Sequence, residues 1–439
     1  HENNTAVGYK SLFGITTGDN NVAVGMNSAL ALTTGGNNTI LGKEALKAMT
    51  VGGGMIAIGY QAGQSISTSA QNESSIIIGK QAGDGGSGRM REVVIIGAEA
   101  FRSSGATDVT GAIAIGFRAS YSATTSTDIA IGYSALYSSA GFGQNVAIGY
   151  YAGQNVNDAT YGGAVYIGYE AARYANKNTG IYRGVAVGAY AGQHSPVGTS
   201  VFVGHQSGRF ARSGSANVYL GYRSGYGGNT SSPYTGNSGY NNVAIGVNSL
   251  YGVTNQHDMV AVGYEAGNAS GGTRSVYVGH QAGYNSSGIG NAFVGRQAGY
   301  SSTTARYQVA MGFDALYSNT AGDLSVAIGR QSLYNLDQST NTHVVAVGSA
   351  TGYSITSGKY NSILGSSAGY FNQTGDYNTV MGYAAAYGIT GKSTDNITAI
   401  GARALQNIVG DDSTAVGYQA GYYATGSQNT FVGSEAGKG

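Results

Sequence analysis

The chain has 439 residues, with 22 basic and 21 acidic side chains that leave a net charge of +1. That balance, spread without a basic stripe, argues against a partner made of nucleic acid or anionic lipid. The 41% apolar content is not that of a disordered chain, and the absence of cysteine excludes disulfides and thiolate metal sites. No apolar run reaches the ~18 residues of a membrane-spanning helix, so direct membrane insertion is not expected.

Glycine accounts for 75 residues and proline for 2. Without a collagen-type Gly period, that ratio together with many Val, Ile and Tyr predicts short strands joined by tight turns.

Taken from the N-terminus, the first full unit is Asn20–Gly36, NNVAVGMNSALALTTGG. It holds an apolar triplet ending at Val24, then Gly25, and a small residue, Ser28, three places on. The same pattern returns at Ile58, Gly59 and Ala62, at Val278, Gly279 and Ala282, and at Val416, Gly417 and Ala420. Between Val7 and Val432 the aliphatic-Gly anchor (an aliphatic residue or Met) occurs twenty-five times at a mean spacing of about 17.7 residues. The residue three places after the glycine is Ala or Ser in every copy except one, where it is Thr351. Length varies only in the polar run that follows. A constant core with one variable loop per unit is how solenoids behave.

A unit this short has no room for a helix pair, and its triplet has no helical period. The expected fold is therefore all-β: a parallel β-solenoid of about 25 coils of 16–25 residues, forming a single continuous domain over residues 1–439. Each coil is expected to hold two strands, the apolar triplet and the small-residue segment. Alternation puts the first and third triplet residues on one face and the middle one on the other. The third position, always Val, Ile, Leu or Met, is assigned to the buried face, and the middle position, such as Ala23, to a face the coil cannot cover alone. A homo-oligomer follows as the expectation. Asn recurs before the triplet (Asn21, Asn145, Asn217, Asn242, Asn378, Asn429), where a stacked side-chain ladder is expected.

Further along, the longest insertion, about residues 227–240, contains Pro233, Tyr234 and Tyr240 and is a candidate recognition loop. From Tyr284 onward, seven consecutive units carry Tyr five residues after the anchor glycine: Tyr284, Tyr300, Tyr317, Tyr334, Tyr353, Tyr370 and Tyr387. Stacked coils would align them in one aromatic ladder. Ring stacking that stabilises the coil stack is preferred over a glycan-binding stripe, because strand spacing leaves no gap for a sugar ring.

Units such as NNVAIGVNSL (Asn241–Leu250), STAVGYQAG (Ser413–Gly421) and NTFVGSEAG (Asn429–Gly437) resemble the YadA-like head repeats of trimeric autotransporter adhesins. They are equally similar to the glycine-rich repeats of bacteriophage tail fibres. The resemblance implies a left-handed parallel β-roll, three chains intertwined or side by side as a homotrimer, an extracellular location on a cell surface or a virion tail fibre, and adhesion to a cell-surface glycan or receptor. The present units are longer than the typical head repeat. Both ends fall inside the repeat array, so the chain is expected to be a piece of a longer fibre protein.

Catalytic and metal chemistry find little support in the pattern. Glu44, Glu99, Glu170, Glu265 and Glu435 sit two residues after the anchor glycine on non-adjacent coils, so the paired carboxylates of a glycosidase are not visible. His205 and His280 share one repeat position but lie four coils apart, about 19 Å at strand spacing. No catalytic residue, metal site or cofactor is expected. The reading is a non-enzymatic structural fibre or adhesin for attachment to a host or surface. Two alternatives stand beside it: an extracellular surface filament polymerising end to end, and a fibre-borne polysaccharide hydrolase.

Overall fold

The structure is a computed structural model. It describes residues 2–66, 72–85, 88–102, 108–122, 127–138, 143–156, 162–174, 184–195, 199–211, 215–227, 239–252, 255–337 and 342–439. Pro233 and Tyr234 of the candidate loop lie outside them. The chain forms a parallel β-solenoid, and among the described residues there is no helix. It divides into two compact units, His1–Asn217 and Val218–Gly439.

In the first unit the triplets run from Thr5–Val7 and Val22–Val24 through to Val201–Val203, each a three-residue strand. They pair in parallel and in register, so that Val22 lies opposite Thr39, Ala23 opposite Ile40 and Val24 opposite Leu41. The second unit repeats this from Val218–Leu220 to Thr430–Val432, with Val276 opposite Ala292 and Val278 opposite Val294. Equivalent repeat positions therefore stack on one another along each unit.

The anchor glycine makes that stacking possible. Gly25 has φ +137°, and a Cβ there would sit 2.5 Å from the carbonyl oxygen of Gly42. Gly312 repeats the geometry, with φ +142° and 2.4 Å to the Gly329 oxygen. Both the backbone region and the close approach of the next coil exclude any side chain.

The small-residue segment is not a second strand. Alternate residues take the left-handed conformation, Asn27 at φ 55° and Ala29 at φ 47°. Asn27 N–H donates to the Tyr9 carbonyl on the preceding coil at 2.8 Å, and Ala29 N–H to the Ala45 carbonyl on the following coil at 2.9 Å. The segment is thus a ladder of turns whose N–H groups serve both neighbours. Among the described residues, true second strands occur instead in the polar run of four coils of the first unit: Gly52–Gly53, Asn72–Glu73, Arg89–Arg91 and Asp108–Thr110, paired in parallel.

The buried face is the opposite of the one expected. The middle triplet residue is the core: Ala23, Ile40, Ile77, Tyr277 and Phe293 are all fully buried. The anchors Val24, Ile58 and Val278 are only half-buried, and Val416 is exposed. The turn ladder folds back beneath the middle residue, which brings Ser28, Ala62, Ala282 and Ala420 into complete burial. The first and third side chains are left pointing away from the coil.

Core volume is matched residue by residue. Where the middle residue is aromatic, the position four after the anchor glycine shrinks, as in Phe202 with Gly208, Tyr219 with Gly225 and Phe293 with Gly299. Where it is Ala, Leu can enter, as in Ala244 with Leu250 and Ala310 with Leu316. Large against small at facing positions keeps the interior close-packed.

The asparagine ladder is present. Asn38 Nδ2 donates to Asn21 Oδ1 at 2.8 Å and to the Gly52 carbonyl at 3.0 Å, while the Asn38 N–H also reaches Asn21 Oδ1 at 3.1 Å. Asn378 accepts from the Ile397 N–H at 3.0 Å and donates to the Thr394 carbonyl at 2.8 Å. These amides are buried and answer backbone groups the turns would otherwise leave without partners.

Candidate functional site

Three side-chain arrays lie on the surface of the coils. The first is aliphatic and follows from the exposed triplet face: Ile148 (37% exposed), Val203 and Val294 among others, with Leu364 and Met381 reaching 45%. The second adjoins it, one residue after the anchor glycine. There Phe117, Tyr133, Tyr150 and Tyr169 stack in sequence with ring centroids 5.2, 4.9 and 5.4 Å apart. All four rings are exposed.

The third array is the tyrosine ladder. From Tyr284 to Tyr387 the successive centroid distances are 5.1, 5.1, 5.1, 5.1, 5.0 and 5.1 Å, with interplanar angles between 4° and 16°. All seven rings are half-buried. Burial pushes the phenols of Tyr284, Tyr317, Tyr334 and Tyr370 up from their ordinary values. In-register stacking brings the seven rings face to face, so their edges rather than their faces meet solvent.

The candidate ligating and acidic residues are each engaged locally. His280 stacks on Tyr264 at 5.0 Å, and His205 meets Tyr190 edge-on at 6.0 Å. Glu44 accepts from Gln61 Nε2 at 2.9 Å and pairs with Lys47, contacts that hold its carboxyl below the usual range, Gln61 first. Glu99 is lowered chiefly by Arg118, whose Nε lies 2.8 Å away. Glu170 pairs with Arg173, Glu265 accepts from Gln281, and Glu435 pairs with Lys438. Among the described residues no group of three or more His, Asp or Glu could hold a metal ion.

Of the candidate loop, Tyr240 is described. It is exposed and stacks on His257 with centroids 5.0 Å apart, and His257 Nδ1 lies 2.9 Å from Asp258 Oδ2. An open cleft of about 250 Å³ lies beside Gly52–Gly53, lined in part by Thr34, Asn37 and Glu73. It is smaller than the roughly 300–1,000 Å³ of small-molecule sites.

Two features were not anticipated from sequence. The added sheet carries a bidentate pair, with Arg89 Nε and Nη2 donating to Asp108 Oδ1 and Oδ2 at 3.0 and 2.9 Å. Charges of opposite sign, each eight residues before the following anchor glycine (Gly97 and Gly116), were the available signal. Asp314 sits in the row occupied elsewhere by Gln and Glu. It is 8% exposed, its Oδ1 is buried without a hydrogen-bond partner, and burial raises its pKa against the opposing pull of Arg296 and Arg330.

Comparison of the chain with protein-family models, with curated proteins and with solved structures gives no match in any of the three.

Proposed function

We propose that the protein is a non-enzymatic extracellular structural fibre that attaches to a host or other surface. In this reading it is a left-handed roll of about 25 coils, and three copies pack their exposed triplet faces about a common axis. The observation that carries the proposal is the aliphatic stripe within each unit, at Ile148 and Val203 in the first and at Ile245 and Met381 in the second. Single exposed apolar residues are ordinary, but a contiguous row of them marks an interaction surface. An in-register row on a repeating scaffold is self-complementary and suits packing against further copies of the same chain. The resemblance to adhesin heads and tail fibres supports the same reading, with a cell-surface glycan or receptor bound by the non-repeating loops.

The test is mass in solution under native conditions. A particle three times the 44.5 kDa chain is expected; a stable single-chain particle would count against the trimer. Attachment is tested separately, by binding of the intact assembly to cells before and after enzymatic removal of their surface glycans. Retained binding would move the ligand from glycan to protein.

A further inference from the structure

The ladder from Tyr284 to Tyr387 has a chemical consequence apart from stacking. The chain has no cysteine, so no disulfide can fix one coil to the next. It has 35 tyrosines, and seven of them place phenols on consecutive coils with centroids 5.0–5.1 Å apart. Because the rings are nearly parallel, 4° apart for Tyr300–Tyr317 and for Tyr317–Tyr334, equivalent ring carbons of neighbours are separated by about the same distance as the centroids. The rings are half-buried, which gives a phenolic proton a route to water.

We propose that this ladder is a site of oxidative tyrosine coupling, in which a peroxidase-type catalyst using hydrogen peroxide joins neighbouring rings and staples consecutive coils of one chain. Each of two tyrosines gives one electron to the oxidant and its hydroxyl proton to water. The two phenoxyl radicals pair their electrons in one new bond between carbons ortho to the oxygens. The hydrogens on those carbons move through water to the oxygens and restore two phenols. Each link removes two hydrogens from the protein and reduces one hydrogen peroxide to two waters.

Proximity favours the ladder over isolated tyrosines, as it does the shorter stack at Tyr133 and Tyr150, whose centroids lie 4.9 Å apart. A radical on Tyr334 has Tyr317 and Tyr353 5.1 Å away on either side, so coupling within the chain is effectively unimolecular. A radical on the exposed Tyr9 or Tyr418 has to meet another molecule.

The experiment treats the whole protein, at low concentration, with peroxidase and hydrogen peroxide. Dityrosine fluorescence is read, and the linked peptides are mapped by mass spectrometry. Links are expected between ladder neighbours within one chain, each with the loss of two hydrogen masses. A double variant, Tyr317→Phe with Tyr353→Phe, keeps the stack and leaves Tyr334 with no phenol beside it. It should melt as the parent does and lose every link through Tyr334. The proposal is overturned if no dityrosine forms, if links join Tyr9 or Tyr418 of different chains as often as ladder neighbours, or if Tyr334 still couples in the double variant.

Discussion

Gly225 lies against the ring of Tyr219: a Cβ at residue 225 would sit 2.3 Å from both Cδ2 and Cε2 of that ring. The coil interior is therefore filled to the last atom at this level, and glycine is required by a core side chain as well as by its own φ of +56°.

Gly225→Ala is accordingly expected to destabilise its coil. Left-handed strain costs about 1–2 kcal/mol, and overpacking adds about 1–3 kcal/mol. Gly252→Ala is the matched control, with φ +73° and nothing within 4 Å of an added Cβ, so only the strain should remain. Thermal melts of the two variants, compared with the parent, check the difference.

An anchor glycine should be less forgiving still. In Gly312→Ala the new Cβ meets the Gly329 carbonyl oxygen at 2.4 Å, and backbone rather than a movable side chain has to give way. The expected cost is about 2–6 kcal/mol from backbone strain and overpacking together. Because solenoid coils stabilise mainly their neighbours, hydrogen exchange should quicken around residues 309–330 before distant coils respond.

Asp314 gives the pH prediction. Burial raises its folded pKa above the unfolded value, with Arg296 and Arg330 opposing. The favourable protonated form is complete below the unfolded pKa, and its contribution is lost as pH rises through the folded pKa. Asp314→Asn should therefore melt higher than the parent at neutral pH, and the gap should close as the solution is acidified. Melting curves at stepped pH read this directly. A gap that widens toward acid would contradict the assignment.

Removing two rings tests the stacking energy of the ladder. Tyr317→Ala with Tyr334→Ala breaks three consecutive stacked contacts, each contributing about 0.5–1.5 kcal/mol. Lower thermal stability is expected. Unchanged melting combined with lost surface attachment would reassign the ladder to recognition.

The proposed assembly rests on the outer triplet face. Ile148→Lys with Ile245→Lys places charge at two sites that are 37% and 39% exposed in the single chain. The coil itself should tolerate both changes, while native mass should fall toward the 44.5 kDa of one chain.

Several of these features are legible in the sequence, because a parallel in-register solenoid converts equal offsets into spatial neighbours. That is why seven tyrosines at one offset become seven stacked rings, and why Asn21 and Asn38 meet through their amides. The same logic exposes the paired sizes of Tyr219 and Gly225. They are visible as a covariation between two positions once the folding-back of the turn ladder is known. Arg89 and Asp108 were harder to read, since they lie in the polar run whose length changes from unit to unit and whose register is set by the neighbouring coils.

By itself, the sequence determined the period, the glycine at the end of each triplet and the small residue three places on. Each answers a steric demand that recurs in every coil. Only the tertiary structure decided which face of the triplet is inside. Val22, Ala23 and Val24 are apolar on both faces, so alternation offers no polar side to mark the exterior. The choice falls to the turn that starts at Gly25 and carries Ser28 beneath Ala23. That turn buries Ala23, which alternation assigned to the uncovered face, and leaves Val24, assigned to the core, half-buried on the outside of the coil.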